Sequence, residues 1–279
     1  MTIVHRPTAA ELGPRRFRRR RRAIDVTLAV AVPVLLLALW QLAAMRGWID
    51  RTTVAAPSDI PGETRNMFAH QHLWSDTWVS IKRILIGFAY GSVAGIAVGV
   101  VMGMARNIRV ALDPTLTALY TVPKLALLPV FLIIFGFGEA PVTAVLTVTV
   151  FFFVWISTMS AVISVPDTFD EAARSFGASR WQTFRHVVLP SSLPQVFVGL
   201  RIAAGVAVLT LVGVEFVFAP GSKGIGYVIN QSRQLLLPQQ AYVGIVVTAL
   251  IGVALTWIVR TVGRLLAPWA PKDDGSGPL

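Results

Sequence analysis

Asp167-Thr168-Phe169-Asp170-Glu171-Ala172-Ala173-Arg174-Ser175-Phe176-Gly177, continuing to Leu189-Pro190, is a polar stretch set between two long apolar runs, 140–163 and 193–217. Thr168 followed three residues later by Glu171 fits a capping box, so a short helix is expected to start there. Gly177 suits the left-handed position that ends such a helix. Ser179 can cap a second short helix, Arg180 to Val188, which Pro190 is expected to terminate. The expectation is two short helices joined by a tight bend. Small Ala172 and Ala173 leave room for a groove to close around the first.

Outward from this stretch the chain is apolar. Six segments stand out, at 24–45, 79–105, 114–135, 140–163, 193–217 and 241–266. Each has about the 20 residues that cross about 30 Å of hydrocarbon. Backbone polar groups in that medium need internal partners, so the segments are expected to be helices, and no period-two alternation supports a barrel. Charged residues make up 14% of the 279-residue chain and hydrophobic ones 54%, where a soluble domain carries about 25% charged. The net charge of +11 is not gathered as a nucleic-acid patch. It sits between apolar runs, with Arg15, Arg16 and Arg18 to Arg22 packed just ahead of the first, which reads as membrane topology. The 24–45 run lacks a convincing small-x-small cleavage site, although Ala43-Ala44 comes near, and is read as a retained first helix.

Orientation follows from the basic residues. With the N-terminus inside, sixteen Lys and Arg fall in cytoplasmic segments and five in outer ones, which places both termini in the cytoplasm. The parts are then a basic N-terminal tail 1–23, a first transmembrane helix 24–45, an extracytoplasmic segment 46–78, a core 79–266 with its loop 164–190, and a C-terminal tail 267–279. Within 46–78 a short surface helix capped near Ser58 is expected, with Trp74 and Trp78 at headgroup depth. Gly87, Gly91, Gly95, Gly99 and Gly103 recur every four residues, a smooth stripe along which another helix can approach closely. Pro123 and Pro129 should kink the third span.

Candidate functional charges are few. Lys124, Arg201 and Glu215 fall inside apolar spans, where charge is costly and so marks a translocation pathway or gate. Lys124 could attract an anionic solute, or it could pair with a helix carbonyl; Glu215 could pair with a basic group. His70 and His72 lack a third ligand and make no metal site. There is no cysteine and no Gly-Lys dipeptide, which excludes thiolate chemistry and a phosphate-binding P-loop. No catalytic constellation is found, so this is not expected to be an enzyme. One alternative is an ATP-independent secondary transporter or channel, which calls for coupling carboxylates and an internal repeat.

The Glu171-Ala172-Ala173 run, Gly177 four residues on, then Val187 and Leu189-Pro190 at their spacings resemble the loop signature of ABC importer permeases of the binding-protein-dependent transport family. Thr121-Val122-Pro123-Lys124, Phe135-Gly136, Gly224-Ile225-Gly226-Tyr227, Ser80, Arg83 and Glu215 are similar to its nitrate, sulfonate and taurine subgroup. The resemblance covers about residues 50–270 and implies an all-α integral membrane protein of type I ABC importer permease form, with six transmembrane helices and a short cytoplasmic coupling helix. It implies that Glu171, Ala172, Ala173 and Gly177 dock on two separate ATPase subunits that hold ATP and Mg. It also implies a second permease copy as a homodimer or a close relative, an extracytoplasmic solute-binding protein touching 46–78 and 218–240, an inner-membrane location and a small, anionic solute.

Overall fold

The computed structural model describes residues 14–51 and 53–270; residues 1–13 of the N-terminal tail and 271–279 of the C-terminal tail lie outside the described residues. Among the described residues there are helices and no strand. In order they are α1 (Pro14–Met45), α2 (Ile60–His70), α3 (Leu73–Met104), α4 (Arg106–Thr121), a 3-10 turn (Lys124–Leu127), α5 (Leu128–Phe135), α6 (Glu139–Ile163), α7 (Asp167–Ser175), α8 (Arg180–Val217), a 3-10 turn (Pro220–Ser222), α9 (Ile225–Gln234) and α10 (Pro238–Leu266). Five helices are long and apolar enough to cross a membrane, or six if one bent pair counts as a single span.

That pair is the third span, expected over 114–135 with a kink at its prolines, and its bend is a full break. Helix α4 ends at Thr121, and the chain turns 91° before running on through 124–135. Proline forces the residue before it out of the helical region, and Val122 is extended at φ −65°, ψ 129°. The two prolines do different things: Pro123 breaks the helix, while Pro129 sits in the first turn of α5, where its missing N–H costs nothing.

The centre of the bundle is the seam between α3 and α6. All five glycines of the four-residue stripe face α6. An added Cβ at Gly87 would lie 2.5 Å from Leu146 Cβ, and one at Gly103 would lie 2.6 Å from Val162 Cβ. Helix α8 packs on the other side of α6, burying Ala203, Ala207, Leu211 and Val214 with Val142, Val145 and Leu146, and α10 packs against α8. Trp155 of α6 is fully buried and donates its Nε1–H to Met102 Sδ at 3.0 Å.

Helix α1 is different. It starts at Pro14, so the described part of the basic tail is continuous with the first span. Its apolar side chains from Leu28 to Leu39 are mostly exposed, as expected where hydrocarbon replaces water around a helix that is apolar all round. Its attachments are at its C-terminal end. Trp40 meets Tyr242 with ring centroids 5.3 Å apart, Gln41 pairs with Ser58 through two hydrogen bonds of 3.0 and 3.2 Å, and Ala44 is buried. Ser58 is thus engaged with α1 and does not cap α2, whose N-cap position is Asp59 with no side-chain cap. Pro61 in the first turn of α2 removes one of the N–H groups that a cap would serve.

Candidate functional site

Helices α3, α6, α8 and α10 each run between two ends of the bundle, and those ends carry two different clusters. At one end α7 and the start of α8 project as the loop 164–190. Helix α7 begins two residues earlier than the Thr168–Glu171 spacing indicates. Pro166 occupies the N-cap position with extended geometry, so Thr168 already lies inside the helix and no side-chain cap forms. Its C-terminus closes as expected at Gly177, with φ +80°. Gly177 N–H donates to Arg174 O at 2.9 Å, and Ala178 N–H donates to Ala173 O at 3.1 Å, the pair of reversed bonds that satisfies the last carbonyls.

Ser179 caps the second helix, as expected. Its Oγ accepts from Gln182 N–H at 3.3 Å, and Gln182 Oε1 accepts from Ser179 N–H at 2.8 Å. That helix does not stop at Pro190. It passes through a π turn, Phe184–Val188, and continues as α8 to Val217. A proline ring inside a helix crowds the carbonyl four residues back, here that of His186. The widened turn lies just there and makes the room. The bend at Gly177 is therefore a hydrogen-bonded corner between a stub and a full membrane helix.

Glu171, Ala172 and Gly177 are exposed on this stub, with Ala173 half-buried. Beside them stand Phe176, 93% exposed, Phe169 and Trp181. These three aromatics are not part of the residue pattern that marks the loop. Only the fold shows that nothing among the described residues covers them.

At the opposite end Arg83 binds two carboxylates. Its Nε and Nη2 donate to Glu139 Oε2 and Oε1 at 2.6 and 2.7 Å, and its Nη1 donates to Glu215 Oε1 at 2.7 Å. Nη1 also donates to Lys223 O at 2.8 Å, and Nη2 to Pro220 O at 3.3 Å. All five guanidinium protons are thus used, which lysine could not do. Glu215 is 1% exposed and is held further by Gly226 N–H, at 2.9 Å, and by the Ser80 hydroxyl. Ser80 Oγ accepts from Ile225 N–H at 2.9 Å, and Asp76 Oδ1 accepts from Gly224 N–H at 3.1 Å. The cluster pins the 220–226 segment to α3, α6 and α8. Glu139 and Asp76 were not legible as partners. The signal available for Glu139 is that Arg83 lies four residues before Gly87, on the stripe that faces α6, while Glu139 is an acid in the first turn of α6.

Lys124 belongs to neither cluster. Its Nζ donates to Leu119 O, Tyr120 O and Val122 O at 3.1, 2.6 and 2.7 Å and lies 4.6 Å from the Phe152 ring centroid. The ammonium has three protons, and here three carbonyls take them. Of the two roles open to Lys124, the geometry realises the helix-carbonyl partner: a cation on the C-terminal carbonyls of α4 where the chain breaks. Lys124→Gln should lower the stability of the detergent-solubilised protein by about 1–2 kcal/mol and leave the KM for the transported solute unchanged. A raised KM at unaltered melting temperature would place Lys124 on the translocation pathway. Arg201 is half-buried on α8.

Residues 91–270 match the family described as the binding-protein-dependent transport system inner membrane component. The chain belongs to this family of transport permeases. The permease is 32% identical to the taurine transport system permease protein of Escherichia coli, over 88% of this chain and 90% of that one. It is 30% identical to the putative aliphatic sulfonates transport permease protein of Bacillus subtilis, over 88% of each chain. The nitrate import permease protein of Synechococcus elongatus is 30% identical, over 96% of this chain and 99% of that one.

Among solved structures, the permease resembles an inward-facing MetNI methionine ABC transporter chain with a TM-score of 0.58 at 22% identity, covering 69% of this chain and 98% of that one. It resembles a chain of a bacterial ABC transporter involved in the import of alginate equally well, with a TM-score of 0.58 at 13% identity over 92% and 97%. These likenesses establish the fold as that of type I ABC importer permeases, the expected class. The matched family region holds the loop, Glu139 and Glu215, and starts after Arg83.

Proposed function

We propose that this permease is the membrane-spanning half of an importer driven by separate ATPase chains, and that α7 is the lever those chains move. The observation that carries the reading is the stub itself: a helix closed at Gly177 by two backbone hydrogen bonds, with Phe169, Phe176 and Trp181 exposed around Glu171, Ala172, Ala173 and Gly177. Exposed aromatics at a fixed corner are what a binding cleft would grip. Because the corner leads directly into α8, displacement of α7 tilts the helix that packs on α6. A conformational equilibrium shifts only by differential contact in two states, and a rigid connection is what turns ATPase closure into that difference.

On this reading α7 and both termini face the cytoplasm, and the Arg83 end faces outward. A second permease copy completes the pathway, and an extracytoplasmic solute-binding protein delivers the solute. Mg and ATP stay on the ATPase subunits. The curated relatives carry aliphatic sulfonates, taurine and nitrate in their names, so we infer a small anion of that class as cargo.

The test replaces two exposed loop residues. Glu171→Lys and Gly177→Asp, the latter placing a side chain at φ +80°, should each lower uptake at least about tenfold while the protein still inserts in the membrane; a tenfold loss corresponds to about 1.4 kcal/mol of lost coupling. Full uptake by both variants removes the lever. Vanadate-insensitive uptake in vesicles without any ATPase would instead favour an ATP-independent transporter.

A further inference from the structure

A cavity of about 560 Å³ lies at the loop end of the bundle, where the first turns of α8 face the chain just past α10. Pro190, Ser191 and Pro194 line one wall, and Trp269 and Ala270 line the other. The walls are set close. Gly263 of α10 packs on Phe197 of α8, where an added Cβ would lie 2.9 Å from the ring, and Ala270 N–H donates to Ala267 O at 3.1 Å, closing the turn that carries Trp269. The lining is mostly apolar, yet it offers two acceptors. Pro194 lacks the N–H that would bond the Pro190 carbonyl in a regular helix, and the exposed Ser191 hydroxyl makes no hydrogen bond to another described residue. Positive charge frames the cavity. Arg185 comes five residues before Pro190, and Arg260 and Arg264 lie in the last two turns of α10. None of the three forms an ion pair or hydrogen bond with another described residue. Helix α8 before Glu215 and the whole of α10 carry no carboxylate.

We propose that this cleft seats the headgroup of one anionic phospholipid of the inner leaflet. Its phosphate would lie against the arginines and its glycerol backbone between the two prolines and Trp269. The site rests on the importer reading, which puts the loop end in the cytoplasm. An apolar cavity framed by unpaired cations matches a molecule that is anionic at one end and hydrocarbon at the other. A water-soluble anion would use the arginines and leave the prolines and the indole bare. Trp269, 56% exposed, is also the residue type that gathers at headgroup depth. The volume falls within the range of sites for small molecules, about 300–1,000 Å³, and the acyl chains can continue along α8 and α10, both long and apolar enough to cross the membrane. Hydroxyls on a glycerol headgroup would donate to the Pro190 carbonyl and the Ser191 hydroxyl, so phosphatidylglycerol is the fitting probe. The place has a mechanical consequence. Pro190 stands two residues past the π turn that joins the loop to α8, so a headgroup lodged there braces the root of α8 against α10.

The test titrates phosphatidylglycerol or phosphatidylcholine into the full-length permease in detergent, with and without its ATPase chains, and counts bound lipid by native mass spectrometry. Wild type should bind one phosphatidylglycerol per chain at least about tenfold more tightly than phosphatidylcholine, the scale expected of three arginines near an anionic headgroup. Ser191→Trp fills the cleft and should weaken phosphatidylglycerol binding at least about tenfold. Arg264→Gln should weaken it about fivefold, one arginine's share. Both side chains are exposed, so both variants should melt like wild type. Equal binding of the two lipids by wild type, or wild-type binding by both variants, overturns the site and leaves the importer reading standing. Phosphatidylglycerol that binds only when residues 271–279 are deleted, or that leaves when the ATPase chains bind, gives the cleft to that occupant and overturns the site as well. A permease that binds the lipid as expected yet captures no ATPase chain removes the importer reading and leaves the lipid site.

Discussion

Replacing Arg83 by alanine is expected to destabilise the folded permease by about 3–5 kcal/mol, because it strands a buried carboxylate. Glu215 is 1% exposed, and Arg83 is the partner that carries the opposite charge to it. Without the guanidinium, Glu215 keeps the Ser80 hydroxyl and Gly226 N–H but loses its counter-charge. The carbonyls of Lys223 and Pro220 lose their donors in the same step. Denaturation of the detergent-solubilised protein, followed by helix content, measures the loss. Adding Glu215→Gln to Arg83→Ala should recover part of it, since the orphaned charge is then gone. Glu139→Gln alone should cost about 1 kcal/mol or less, as that carboxylate is 57% exposed and water screens it. Equal losses from Glu139→Gln and Arg83→Ala would show that burial of Glu215 does not set the scale.

Gly95→Leu should prevent α3 and α6 from meeting and leave no monodisperse folded protein after solubilisation. A Cβ at Gly95 would lie 2.8 Å from the carbonyl oxygen of Phe151 and 2.9 Å from Val154 Cβ. Backbone cannot rotate away as a side-chain tip can, so the helices must separate along a seam that runs from Gly87 to Gly103. Even alanine should cost about 1–3 kcal/mol here, the usual range for forcing atoms into a filled core. Gly62 in α2 is the control: nothing lies within 4 Å of a Cβ there, and alanine should be neutral or stabilise by up to about 1 kcal/mol. Size-exclusion profiles and melting temperatures of the three variants test this. A Gly95→Leu protein that elutes and melts like wild type would refute the close seam.

Most of the membrane architecture was open to reading before any fold was known, for a local reason. Hydrocarbon demands runs of about 20 apolar residues with internally bonded backbone, and a requirement met within one segment is visible in that segment. The four-residue glycine interval, the left-handed Gly177 and the Ser179 cap are local in the same sense. Misreadings arose where two local signals competed. Pro190 reads as a helix end, yet a π turn carries α8 past it. Pro123 reads as a kink, and the chain does bend there, through 91°, with three carbonyls at the break taken by Lys124.

The amino-acid order alone settled which segments are membrane helices, where the polar stub interrupts them, and that the chain carries no P-loop of its own. Tertiary structure decided which charges meet: Arg83 reaches Glu139 and Glu215 across 56 and 132 positions of chain, and no local pattern encodes a pairing at such separation. It also decided which aromatics stay uncovered, since exposure is defined only once every other helix has taken its place. Short-range rules act on bonded neighbours and can be read in one dimension, whereas ion pairing and burial depend on distance in space.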